Sequence, residues 1–105
     1  MIKEYRSKGF VYGRLWGGRE GSYPARRLNR HTKIGLLAEA KKALKVGWLD
    51  SGMGYEYLFG ALLEIEEIET IEVNNKEYTR SEYETVFIGD LTEKQKEHLL
   101  DQLYS

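Results

Sequence analysis

Along residues 10–16 (Phe-Val-Tyr-Gly-Arg-Leu-Trp) apolar and polar positions alternate among strand-favouring side chains, which predicts a strand. Its two faces differ: Val11, Gly13 and Leu15 fall on one side, and Phe10, Tyr12, Arg14 and Trp16 on the other. The Gly-rich run 17–21 predicts a turn, followed by a return strand over residues 23–28 with Pro24 at its start or on an edge. Thr32 is placed to cap a helix from Lys33 to Val46, and Gly47 to end it. Ile34, Leu37, Ala38 and Leu44, with Ala40 and Ala43 beside them, supply its apolar stripe. Beyond a loop over residues 50–54, the helical spacing of Leu58, Phe59, Leu62 and Ile65 predicts a second helix, from Gly54 or Tyr55 to residues 64–66. Residues 69–73 and 76–79 flank Asn74-Asn75, whose tolerance of positive φ fits a type I′ hairpin, and residues 82–88 form a further strand or an extension of that arm. Thr92 and Gln95 form a capping box for a last helix over 93–104 that packs Leu99, Leu100 and Leu103. The order ββααββα argues a single compact α+β domain, with a mostly antiparallel four-stranded sheet and about three helices.

Composition narrows the chemistry. The 105 residues fit one domain and hold no cysteine and two histidines, which removes disulfides, thiolate metal sites and cysteine nucleophiles. No apolar run has the length to span a bilayer and no leader pattern opens the chain, so the expectation is a cytoplasmic protein with no membrane role. A net charge of −1 conceals a division. Residues 1–48 carry twelve basic against three acidic side chains, a net +9, whereas residues 49–105 carry four against fourteen, a net −10. Such a split fits internal neutralisation, an anion-binding basic half, an acidic half that meets a basic partner, or a homodimer.

Candidate chemistry is sparse. The 17–21 segment lacks the Gly-Lys-Ser/Thr and G-x-G-x-x-G patterns of phosphate loops, although Arg19 sits on it. Tyr12, Arg14, Trp16, Arg19, Tyr23, Arg26, Arg27, Arg30 and Lys33 together make a candidate anion or nucleic-acid surface, with aromatics to stack on bases and cations to meet phosphates. Glu64, Glu66, Glu67, Glu69 and Glu72 make a candidate acidic surface for a protein partner. The 50–54 loop reads first as a helix cap and second as an anion site, and His31 stands in a basic setting. No catalytic set, metal site or cofactor motif emerges, so the chain reads as a non-enzyme; a small enzyme acting through Asp50 and His31 ranks last.

The segments 12–18 (YGRLWGG), 23–25 (YPA), 49–54 (LDSGMG) and 87–92 (FIGDLT) resemble short accessory proteins of phages and mobile elements of Gram-positive bacteria. That resemblance implies a protein that acts by binding, among the inhibitors of host defence, anti-CRISPR proteins included, or the sponges for nucleotide signals. Acidity confined to the second half departs from inhibitors that mimic DNA throughout. The first expectation is therefore an anti-defence inhibitor whose glutamates occlude a nucleic-acid-handling host protein such as a CRISPR effector. The alternative is a nucleic-acid or nucleotide binder using the basic half.

Overall fold

The computed structural model describes residues 2–52 and 55–105. Strands β1 (Ile2–Leu15), β2 (Glu20–Pro24) and β3 (Leu28–Arg30) precede helix α1 (Lys33–Lys45). Strands β4 (Tyr55–Val73) and β5 (Lys76–Gly89) and helix α2 (Glu93–Tyr104) follow. All strand pairings are antiparallel, in the order β2-β1-β4-β5, with β3 pairing β1 beyond the end of β2. The α+β class and antiparallel sheet stand as expected, but with five strands and two helices.

The expected second helix is the main correction. Residues 55–66 begin the nineteen-residue central strand β4, paired with β1 on one side and β5 on the other. Leu58, Leu62 and Ile65 are buried, yet so are Gly60, Ala61 and Leu63, because the strand is covered on both faces. A strand buried on both sides gives a continuous apolar run, whose members fit helical spacing by accident. With no helix there, the capping role expected of Asp50 or Ser51 also lapses. Asp50 is buried in an isolated bridge to Ala25, its carboxylate accepting from the Gly52 N–H, and the Ser51 hydroxyl donates to the Pro24 carbonyl. The part of that loop at Met53 and Gly54, including the expected helix start, lies outside the described residues.

Register assigns the faces. Val11, Ala61 and Ile88 stand in one cross-strand row on the face that α1 covers through Ala40, Ala43 and Leu44. α1 itself is rotated from the expected stripe. Its buried residues are Leu36, Ala40 and Ala43, whereas Ile34 is 83% exposed and Ala38 faces solvent. The two alanines let the helix axis approach the sheet closely, leaving Leu36 as its one large buried side chain. Thr32 caps the helix by accepting from the Gly35 N–H at 3.0 Å.

The opposite face carries Phe10, Leu62 and Phe87 in one row, covered by α2. Leu99 is fully buried there, with Leu100 and Leu103 half-buried beside it. The Thr92–Gln95 capping box forms as expected. Gly9 sits where β1 presses on β4: a Cβ there would stand 2.0 Å from the Leu62 carbonyl oxygen.

Both helices cover only one end of the sheet, so the molecule measures 58 × 26 × 20 Å. The other end is an arm of β1, β4 and β5, closed by Asn74 and Asn75 at φ 53° and 64°, the type I′ turn expected from the sequence. Residues 2–6 of β1 and the last eight of β4 belong to this arm, where side chains on both faces are at least partly exposed and mostly polar.

Candidate nucleic-acid interface

The acidic candidates lie on the arm, and the pleat divides them. Glu67 and Glu69 share a face with Lys3 and Arg80; Glu64, Glu66 and Glu72 point to the other. Most are already engaged: Glu67 with Lys3 at 3.1 Å, Glu69 with Arg80 at 3.6 Å, and Glu64 with Lys8 at 3.6 Å. Glu66 accepts from the Tyr83 hydroxyl at 3.1 Å, and this bond to a carboxylate raises the phenol's pKa. The Lys3 ammonium is likewise held above its ordinary range, first by its hydrogen bond to Glu67. Part of the charge division between the chain's halves is thus neutralised across the β1–β4 ladder. The structure does not gather the five glutamates into one surface.

Glu72 is different. It stands directly opposite Glu77 at the end of the arm, both side chains exposed, and among the described residues neither enters an ion pair. Like charges directly opposed on neighbouring strands are destabilising.

The basic candidates ring the covered end of the sheet. Arg30 is bound to Glu39 and Lys33 to Glu84, which removes both from a free cationic surface. Tyr23 is half-buried, packed edge-on against Tyr55 at 5.8 Å on the α1 face. Burial pushes the Tyr55 phenol well above its ordinary range, with smaller contributions from Tyr23 and Asp50. Tyr12 lies on the α2 face, edge-on to His98 at 5.7 Å, and His98 in turn hydrogen-bonds the Ser22 hydroxyl. Trp16, Arg19 and Arg27 are exposed; among the described residues neither arginine enters an ion pair.

Two of the arginines are stacked on aromatic rings that sequence reasoning missed. Arg26 lies 5.5 Å from the centre of the Trp48 ring, and its Nε–H donates to the Trp48 carbonyl at 2.8 Å. Arg14 lies 5.5 Å from the centre of the Phe59 ring, which Tyr57 meets edge-on at 5.2 Å. Phe59 is the extra residue of a β-bulge: β1 steps from Tyr12 opposite Gly60 to Gly13 opposite Leu58. A bulge of this kind re-aims a side chain next to a rim. Reading residues 55–66 as a helix hid Tyr57 and Phe59, and Trp48 was passed over as a loop residue. A lone aromatic in a short connection behind a helix was the signal available for it.

Trp48 is the more open of the two platforms. It is 63% exposed, held against the Ala25–Arg26 segment by the Arg26 N–H bond to the Leu49 carbonyl at 2.7 Å. A shallow groove of about 420 Å³ runs from it along α1, floored by Gly35, Ala38, Ala43 and Val46 and edged by Lys42 and Arg30. Lys41, Lys42 and Lys45 enter no ion pair among the described residues, and Lys42 and Lys45 stand in the last turn of α1, where the helix dipole favours cations. An exposed indole backed by a guanidinium and edged by ammonium groups suits a planar, anionic ligand. The apolar ring stacks, and the cations meet phosphate.

Among the described residues no group of three or more His, Asp or Glu side chains is placed to hold a metal ion, and no helix is long and apolar enough to cross a membrane. Comparisons with protein-family models, with curated proteins and with solved structures find no match to this chain.

Proposed function

We propose that this chain is a non-catalytic binding protein that takes single-stranded nucleic acid or a nucleotide on its Trp48 platform. The observation that carries the reading is the exposed Trp48 indole, fixed by Arg26 and flanked by Lys42, which enters no ion pair among the described residues. One base stacks on the indole while Arg26 and Lys42 meet its phosphates. Arg14 over Phe59, with Tyr57 beside it, offers a second stacking position at the same end of the molecule. Stacking of one base on an aromatic side chain is worth about 1–3 kcal/mol, so Trp48→Ala weakens binding roughly 5- to 150-fold. The test is fluorescence anisotropy with a labelled oligothymidylate across a salt series. The expected result is affinity that falls as salt rises, with Trp48→Ala and Arg26→Glu both losing binding. Affinity unchanged by both substitutions overturns it.

A second reading rests on the opposed Glu72 and Glu77. A cationic groove on a partner relieves that repulsion, which fits an anti-defence inhibitor that offers its arm to a nucleic-acid-handling protein, a CRISPR effector included. Its mark is association with such a partner that slows as salt rises and is lost in Glu72→Lys, with Arg26→Glu unaffected.

A further inference from the structure

The outer edge of β5 is a long open edge of the sheet. β5 is the last strand of the sheet, runs for fourteen residues without a proline, and pairs β4 in unbroken register from Val73↔Lys76 to Gly60↔Gly89. Residues 76–85 are all exposed. Edges of this length are ordinarily blunted by a bulge, a proline, a covering loop or charged side chains, and of these β5 has only the charges of Lys76, Glu77, Arg80, Glu82 and Glu84. At the far side of the sheet, by contrast, residues 48–51 lie along the end of β2: the Arg26 N–H bonds the Leu49 carbonyl and the Ser51 N–H the Pro24 carbonyl.

The open peptide groups can be identified. The Asp90 N–H donates to the Phe59 carbonyl at 2.9 Å, and the register is continuous from there to the turn. Even-numbered residues of β5 therefore bond inward to β4, and Glu77, Thr79, Ser81, Tyr83 and Thr85 direct their N–H and C=O groups outward. An antiparallel neighbour must set its own outward residues against these.

From this edge we infer that β5 pairs with β5 of a second copy of the chain about a twofold axis at Ser81, joining two sheets into one. Charge selects both the occupant and the register. On the α1 face of the strand, Lys76 and Arg80 precede Glu82 and Glu84, so reversing the strand sets basic against acidic positions. With the axis at Ser81, Arg80, which lies 3.6 Å from Glu69 and 3.9 Å from Glu82 of its own chain, stands opposite the partner's Glu82; Tyr78 stands opposite the partner's Glu84, which its own Lys33 also meets, and Thr79 opposite the partner's Tyr83. Lys76 stands opposite the partner's Val86 and diagonal to the partner's Glu84. No like charges meet directly. An axis at Arg80 or Glu82 opposes that residue to itself, and an axis at Tyr83 opposes Glu82 to Glu84. An axis at Thr79 avoids such pairs but gives a shorter overlap. Cross-strand pairs of opposite charge stabilise a sheet and like pairs weaken it. A twofold contact of this kind closes on itself, since it uses up the open edge of both copies. The Trp48 platforms lie away from the joint, so self-pairing stands or falls independently of nucleic-acid binding.

The experiment is sedimentation velocity on the full chain over about 1–100 μM, with hydrogen exchange followed residue by residue. The expected result is a species of twice the 12.2 kDa chain mass, with the amides of Thr79, Ser81, Tyr83 and Thr85 exchanging at least tenfold more slowly as concentration rises. Glu82→Arg sets like charges opposite and yields monomer; adding Arg80→Glu restores the complementarity and the dimer. Ser81→Pro, tolerated on an edge because that N–H faces away from β4, yields a folded monomer. A chain that stays monomeric throughout overturns the inference. So does a dimer that ignores Glu82→Arg, or one whose protected amides lie elsewhere.

Discussion

The rotation of α1 gives a sharp energetic test. The helix contributes Leu36, Ala40 and Ala43 to the core, and only Leu36 is large. Leu36 is 0% exposed, whereas Ile34, two residues earlier, is 83% exposed. Truncating a buried leucine to alanine costs about 2–5 kcal/mol, the transfer energy of the lost methyl groups plus a cavity term. Full burial leaves no water beside Leu36 to fill the space, and its own helix offers only the small Ala40 one turn on. Leu36→Ala should therefore fall in the upper half of that range, about 3–5 kcal/mol. Against the roughly 5–15 kcal/mol that separates folded from unfolded domains, this removes a large share of the stability. Ile34→Ala removes an exposed β-branched side chain from a helix and should change stability by no more than about 0.5 kcal/mol, in the stabilising direction. Urea unfolding followed by circular dichroism measures both. With a slope of about 1–3 kcal/mol per molar, Leu36→Ala moves the midpoint down by about 1 M or more. A larger loss in Ile34→Ala than in Leu36→Ala refutes the packing described and restores the stripe expected from sequence.

Three further outcomes follow from the geometry. Tyr57→Ala removes an exposed ring that supports Phe59, and anisotropy with an oligothymidylate should show a roughly 5- to 150-fold loss of affinity if the second platform is used, with the urea midpoint little changed. Asn75→Gly places at φ 64° the residue preferred second in a type I′ turn but also loosens the unfolded chain, so it should change stability by no more than about 0.5 kcal/mol, read from the urea midpoint. The pKa of Tyr55 is raised by burial, so the unfolded chain loses that proton first. Its contribution is complete below the ordinary tyrosine value of about 10 and is lost as pH rises toward the folded value. Urea midpoints should fall between about pH 9 and 11 in the native chain and fall less in Tyr55→Phe.

Sequence legibility followed local chemistry. The capping box at Thr92–Gln95, the Thr32 cap and the Asn74-Asn75 turn are decided within a few residues, and all three form as expected. The identity of residues 55–66 is decided by partners far away in the chain. β1 and β5 pair its edges while α1 and α2 cover its two faces, and that override of the apparent helical period is invisible locally. Residues 2–9 escaped notice for the opposite reason: their side chains are mostly polar, and the one that is buried, Ser7, is polar too, so no apolar alternation marks the strand. At the candidate interface, Arg14 and Arg26 were legible as cations, but the rings beneath them were not. Phe59 is aimed by a bulge, and Trp48 is brought to Arg26 by the pairing of residues 25–26 with 49–50. The division of charge was legible in full. Its partial cancellation depended on β1 lying beside β4, which the misread helix concealed.

The central position of β4 also sets an order of assembly. Its pairing with β5 is local, closed by a two-residue turn, and can zip from Asn74-Asn75 on the microsecond scale typical of hairpins. Its pairing with β1 joins residues as distant as Phe10 and Leu62, and closing a loop of that length costs about 3–4 kcal/mol of chain entropy before any contact repays it. On these costs the hairpin should form before β1 docks, with both of its edges open in the interval, and earlier protection of β5 than of β1 in pulsed hydrogen exchange during refolding would show it. A lesion on the β1 side, such as Gly9→Ala beneath the Leu62 carbonyl, would prolong the interval in which the hairpin is exposed, so its first symptom would be aggregation during refolding.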